Sequence, residues 1–178
     1  MESTQTKRAF VAVRPPDDVL EAVAALGVDV SGGRMTTPDQ WHVTLQFLGN
    51  RADIDAVADA LDGFDVTAGS ARLGGLGAFR SARRATVVWI GLAEGEELFA
   101  ALAAEVAVRL RPLGFEPEAR AFHPHLTLAR LKTPADVTSL VDDRPVGRQW
   151  TVDTLTVYES RTRPTGAEYV ARASIPLP

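Results

Sequence analysis

Trp41-His42-Val43-Thr44-Leu45-Gln46-Phe47-Leu48 has a counterpart far downstream, Pro124-His125-Leu126-Thr127-Leu128-Ala129-Arg130-Leu131. Each copy places a histidine and a threonine two residues apart in a run that alternates apolar and polar. Residues two apart on a β-strand share a face. His42 and Thr44 are therefore expected on one face, with Val43, Leu45 and Phe47 on the other. The same parity groups His125 with Thr127, opposite Leu126 and Leu128. Each strand thus offers an imidazole and a hydroxyl to one side and anchors itself with aliphatics on the other. The chain has only three histidines, so two in matching settings set the direction of the argument.

A chain of 178 residues suits a single domain, or two small lobes sharing a core. We expect one bilobed domain over 1–178. Without cysteine there is neither a disulfide framework nor a thiolate metal site. The N-terminal residues have no apolar core resembling a signal peptide, and no segment is long enough to span a bilayer. A cytoplasmic protein, monomeric by default, is the expectation. The net charge of -4 argues against gripping long nucleic acid through many phosphates. It leaves room for a pocket that takes one nucleotide or one RNA end.

Read outward from the two motifs, the chain opens with a strand, Arg8 to Val13, ended by Pro15-Pro16. A helix from Asp17 carries Val19, Leu20, Val23, Ala24 and Leu26 at helical spacing up to Gly27. Ser31-Gly32-Gly33 reads as a loop, and Gly49-Asn50 as a turn closing the first motif strand. A helix with Ile54, Val57, Ala58 and Leu61 follows. Strands broken by Gly74-Gly75 and Gly77 come next, then a loop with Arg80, Arg83 and Arg84, and a strand from Ala85 to Ile90. A long helix buries Leu98, Phe99, Leu102, Val106 and Leu110 and stops by Pro112 and Gly114. After the second motif strand, a short helix is expected from Pro134, with Val137, Leu140 and Val141. Strands over 151–159 and 169–175 finish the chain. The order is mixed α+β. The repeat interval is too long and irregular for a solenoid and suits two lobes of similar plan, each giving one reactive strand to a shared groove.

Displacement at phosphorus by water, with an alkoxide leaving, needs a base on one side and an acid on the other. Histidine titrates near neutral pH, so one ring can be neutral while its partner is protonated. Charge on the non-bridging oxygens must be met by preorganised donors, and Thr44 and Thr127 are suited to that. No metal or cofactor is demanded when the substrate is already reactive, as a strained cyclic phosphodiester is.

These residues resemble the two-histidine phosphoesterases, and within them the RNA 2′,3′-cyclic phosphodiesterase branch, also described as 2′-5′ RNA ligases. The resemblance rests on Arg8-Ala9-Phe10-Val11-Ala12-Val13 and His42-Val43-Thr44-Leu45-Gln46-Phe47-Leu48-Gly49. It continues in Phe122-His123-Pro124-His125-Leu126-Thr127-Leu128-Ala129-Arg130, then Tyr158-Glu159-Ser160 with Gly166 and Tyr169. It implies a bilobed fold of antiparallel sheets with outer helices around a central cleft. It also implies metal-independent opening of a 2′,3′-cyclic phosphate to a 2′-phosphate, with RNA ends or small cyclic nucleotides as substrates and 2′-5′ ligation as the reverse reaction. By the same resemblance His42 is the acid and His125 the base, and Arg130 contacts the phosphate beside Thr44 and Thr127. Regular strand parity points Arg130 away from the histidines, so that role requires a bulge or a side chain curling round the edge.

Two other readings stay open. His123-Pro124-His125 with His42 is a pattern for a three-histidine zinc hydrolase, although it explains neither threonine. A non-catalytic nucleotide-binding module is the second. Phe10 reads as core, with stacking beneath a base as the alternative. Arg80, Arg83 and Arg84 read as a solvated loop able to meet an RNA backbone.

Overall fold

The computed structural model describes residues 7–178. In chain order its elements are β1 (Lys7–Val13), α1 (Asp17–Ala24), β2 (Gly33–Met35), β3 (Val43–Ala52), α2 (Ile54–Leu61) and β4 (Gly69–Phe79). Then come β5 (Ala85–Glu94), α3 (Glu96–Leu110), β6 (Leu126–Ala135), β7 (Asp142–Val152), β8 (Thr154–Arg163) and β9 (Gly166–Pro176). The strands form an antiparallel sheet in the order β7-β4-β5-β6-β3-β1-β8-β9, with β2 paired to β6. The two motif strands, β3 and β6, are neighbours at its centre. They share a single paired position, Val43 with Leu126. The sheet is therefore two half-sheets, β9-β8-β1-β3 and β6-β5-β4-β7, joined at one point between the two motifs.

Local chemistry accounts for the helices. Asp17 and Asp18 sit in the first turn of α1, where the positive end of the helix dipole favours carboxylates. The Asp53 carboxylate accepts from the Asp55 and Ala56 amides and caps α2. In α3, Phe99, Leu102, Val106 and Leu110 recur at three- and four-residue spacing and are fully buried. Gly114, at φ 85°, ends that segment after Pro112. The core joins these helix faces to Val11, Val13, Val43, Leu45, Leu126, Leu128 and Val157 of the central strands. Val43 and Leu126 thus face the helices, and the histidine–threonine parity faces the other way.

Four local expectations are corrected. Gly49-Asn50 is no turn: β3 runs through it to Ala52, and Gly49, at φ 66°, pairs with Ala9 next to Leu48, the extra residue of a bulge against β1. The helix expected from Pro134 is absent; β6 continues to Ala135, and a turn leads into β7. Pro134 is accommodated because the pairing of β6 with β5 is irregular between Arg130 and Ala135. Thr151 and Val152 end β7, and the next strand starts at Thr154. The loop at Ser31-Gly32-Gly33 runs into β2, whose three residues are too few to show periodicity.

Candidate functional site

Both histidines stand one residue before their strand, and both threonines are its second residue. With Val43 opposite Leu126 in an antiparallel register, position 42 lies across from 127 and position 44 across from 125. The two imidazole–hydroxyl pairs therefore gather around the one junction of the half-sheets, in pseudo-twofold arrangement.

The strands repeat a finer feature. Against β1, Gln46 pairs with Val11 and Thr44 with Ala12, so Leu45 is an extra residue on β3. Against β5, Ala129 pairs with Val88 and Thr127 with Trp89, so Leu128 is an extra residue on β6. Each is a β-bulge one residue after the motif threonine. Both strands consequently bury two residues in succession, Leu45 and Gln46 in one, Leu128 and Ala129 in the other. Beyond the bulge the parity reverses. Phe47 is 53% exposed and turns to the histidine side, contrary to the alternation read from sequence. Arg130 occupies the equivalent place in β6, is exposed, and its charge reaches both imidazoles. The bulge removes the parity objection to Arg130.

The histidines are anchored alike. His125 Nδ1 lies 2.8 Å from the carbonyl oxygen of His123. A carbonyl only accepts, so Nδ1 carries the proton and Nε2 of the neutral ring keeps its lone pair. His42 makes the matching bond to the backbone of Gln40, again two residues earlier. Each ring also sits among aromatics. Phe10 is buried and stacks on His42 at 4.6 Å, with Tyr169 edge-on at 5.2 Å and Tyr158 beyond. Phe79 meets His125 edge-on at 4.7 Å, and Trp89 lies next to both His123 and His125. Burial among these rings pushes His42 down to about 4, with the charges of His125 and Arg130 acting the same way. His125 is lowered too, again mainly by burial.

A hydrogen-bonded chain ties the two motifs where the strand ladder does not. The Trp41 indole N–H donates to Thr36 Oγ1 at 2.8 Å. That hydroxyl donates in turn to the carbonyls of Thr127 and Leu128, at 2.8 and 2.9 Å. The residue before His42 thus holds the bulge after Thr127. Gln40 adds a second tether, donating from its side chain to the Ala167 carbonyl at 2.7 Å. Sequence reasoning missed Thr36; its spacing from either motif carries no signal.

A cavity of about 530 Å³ lies on the His125 side of the junction, lined by Thr44 and Phe47 of β3, Phe79 of β4, His125 and an alanine face of α3; His42, Thr127 and Arg130 do not line it. Arg80 lines it, whereas Arg83 and Arg84 are exposed, with Arg83 in electrostatic reach of Asp136. His123 is exposed and serves His125 through its carbonyl. Among the described residues no three histidine, aspartate or glutamate side chains come together to hold a metal, so the three-histidine zinc site is not assembled. No helix among them is long and apolar enough to cross a membrane.

Comparison with known proteins agrees with this geometry. Residues 15–164 match the sequence profile of the 2′-5′ RNA ligase superfamily. A protein of Aeropyrum pernix named RNA 2′,3′-cyclic phosphodiesterase is 32% identical over 68% of this chain and 68% of its own length. One of the same name from Thermus thermophilus is 31% identical over 91% of this chain and 86% of its own. Among solved structures, a protein of Thermus thermophilus superposes with a TM-score of 0.80 at 26% identity, covering 96% of this chain and 97% of that one. The Escherichia coli protein LigT shares the fold with a TM-score of 0.79 at 24% identity over 97% of this chain and 98% of its own. With its paired motifs at the junction of two half-sheets and its profile match across most of its length, this chain belongs to the 2′-5′ RNA ligase superfamily.

Proposed function

We propose that this chain hydrolyses RNA 2′,3′-cyclic phosphate ends to 2′-phosphates without a metal ion. The observation that carries the reading is the pair of backbone-anchored imidazoles, each with its threonine, around the single pair Val43–Leu126. Relatives named for this activity support it. In the proposed reaction, Thr44, Thr127 and Arg130 meet the non-bridging oxygens. His125, whose Nε2 holds a free lone pair, takes a proton from the attacking water. The water oxygen bonds to phosphorus, the bond from phosphorus to O3′ breaks, and His42 delivers a proton to O3′. Both rings are held below their ordinary pKa in the free protein. The phosphate anion entering between them favours protonation, so the acid is charged by the arrival of its substrate. The same displacement with a ribose 5′-hydroxyl in place of water forms a 2′-5′ linkage. A cytoplasmic location and one bilobed domain over 1–178 belong to the same proposal.

The test is incubation of an oligoribonucleotide ending in a 2′,3′-cyclic phosphate with the protein in excess chelator, the product being resolved against authentic 2′- and 3′-phosphates. Formation of the 2′-phosphate is expected. Activity lost to chelator and restored by zinc would return the reading to a metal hydrolase. Tight nucleotide binding with no turnover would leave a binding module.

A further inference from the structure

Three arginines converge outside the described site. A cavity of about 220 Å³ is lined by Arg8, Arg34, Ser160, Thr162, Arg163 and Tyr169. Arg8 shares a face of β1 with Phe10, two residues on, and Phe10 stacks on His42. On β8, Tyr158, Ser160 and Thr162 share one face by the same parity, and Tyr158 pairs with Phe10. Tyr169 pairs with Ser160 and stands edge-on to the His42 ring. The half-buried rings of Tyr158 and Tyr169, packed on the buried Phe10, therefore link His42 to the arginines.

The cationic end is formed by exposed arginines gathered at the β8–β9 turn. Arg34 donates to the Thr165 carbonyl in the β8–β9 turn at 3.4 Å. Gly166, at φ 131°, leaves its Cα bare so that the guanidinium can lie against it; any Cβ there would strike the Arg34 guanidinium. Arg163 is paired with Glu168 at 2.8 Å. Arg8 and Arg34 have no carboxylate partner among the described residues. Three guanidiniums against one carboxylate leave a local positive excess in a chain whose net charge is -4, beside hydroxyls able to donate to the same anion.

We infer that Arg8, Arg34 and Arg163, with Ser160 and Thr162, form a second phosphate subsite that takes the phosphate on the 5′ side of the nucleoside carrying the cyclic phosphate. The inference rests on the function proposed above. A phosphate one nucleoside away from the reacting one is what an RNA end carries and a bare cyclic nucleoside phosphate lacks. The rings of Tyr158 and Tyr169 lie between the two phosphate positions, where the terminal nucleoside must pass. Fork-shaped guanidiniums suit phosphate oxygens, and three of them confine recognition to one phosphate instead of a long track.

The experiment compares a nucleoside 2′,3′-cyclic phosphate with the same nucleotide bearing a 5′-phosphoryl group. Wild type should prefer the 5′-phosphorylated substrate in kcat/KM by about tenfold or more, as charged hydrogen bonds to one phosphate allow. Rising ionic strength should shrink that preference. Arg8→Ala and Arg34→Ala, both verified as folded by their melting temperatures, should each reduce it severalfold. Arg34→Lys should retain less of it than wild type, because the charge stays and the fork goes. No preference in wild type, or a preference that survives both alanine variants, would overturn the subsite. If neither substrate is turned over, the hydrolase reading fails instead. Calorimetric binding of a nucleoside 5′-monophosphate then decides the subsite, which stands if Arg34→Ala weakens that binding and falls if it does not.

Discussion

Acid should loosen this fold through His42, by an amount that can be worked out. In an unfolded chain the imidazole takes its proton near pH 6.5; among Phe10, Tyr158 and Tyr169 it does so only near 4. Between those values the unfolded state binds more protons than the folded one, so stability falls as pH falls. The full shift, at 1.36 kcal/mol per pH unit, corresponds to about 3 kcal/mol. By pH 4.5 about 2.5 kcal/mol of it is already lost, and above pH 7 almost none. That is a large share of the stability of a typical domain. The assay is urea unfolding of wild type and His42→Asn at pH 7.5 and 4.5. Acid-sensitive groups elsewhere remain in both proteins, so the difference between them reads position 42 together with its repulsion by His125. Wild type should lose about 2.5 kcal/mol more than the variant between the two pH values. Parallel losses would show that His42 titrates as a solvated imidazole and is not desolvated by Phe10, Tyr158 and Tyr169.

His42→Ala and His125→Ala should each lower turnover of cyclic phosphates by about two to four orders of magnitude. With a nitrophenyl phosphodiester, whose leaving group needs no acid, His42→Ala should recover much of its rate and His125→Ala should not; the opposite rescue exchanges their roles. Because both rings are lowered, the pH bell of kcat/KM should have its maximum below 6.5, and a maximum at 8 would contradict the burial of both imidazoles. Thr36→Val breaks the chain from Trp41 to the β6 bulge and should cut kcat by roughly tenfold or more with KM little changed; steady-state kinetics showing only a KM effect would argue against a positioning role. Gln46 holds a buried amide with no hydrogen-bond partner among the described residues. Gln46→Leu should therefore raise stability in urea titrations by about 1 kcal/mol, whereas a loss would mean that the amide has a partner.

How much of this was legible in the sequence follows from where periodicity applies. The two motifs, the three helices and the face assignment of His42, Thr44, His125 and Thr127 are short-range patterns, and a period of 2 or 3.6 reveals them. A bulge breaks the period without leaving a residue that announces it. The alternation therefore placed Phe47 in the core and aimed Arg130 the wrong way, two errors with one cause. Gly49 carried a real signal, positive φ, but that conformation serves a bulge as well as a turn. Pro134 suggested a helix start where the chain had an irregular strand end. Thr36 and the Arg8–Arg34 convergence depend on contacts between segments far apart in sequence, and no local pattern encodes those.

The matched bulges at Leu45 and Leu128 have a consequence for stereochemistry. A site with near-twofold symmetry has no inherent sense of direction: turned by half a revolution, it presents an imidazole and a hydroxyl to the same places. A 2′,3′-cyclic phosphate has two ester oxygens that differ only in which ribose carbon bears them. If the motifs alone held the substrate, it could enter either way round, and water would expel either oxygen. The handedness must come from what differs across the axis, first of all the residues just past the bulges, an apolar ring at Phe47 and a cation at Arg130. Exchanging those two side chains keeps both imidazoles and both threonines and moves only the phosphate-binding cation across the axis, and the composition of the product, 2′- against 3′-phosphate, is where the exchange should be read.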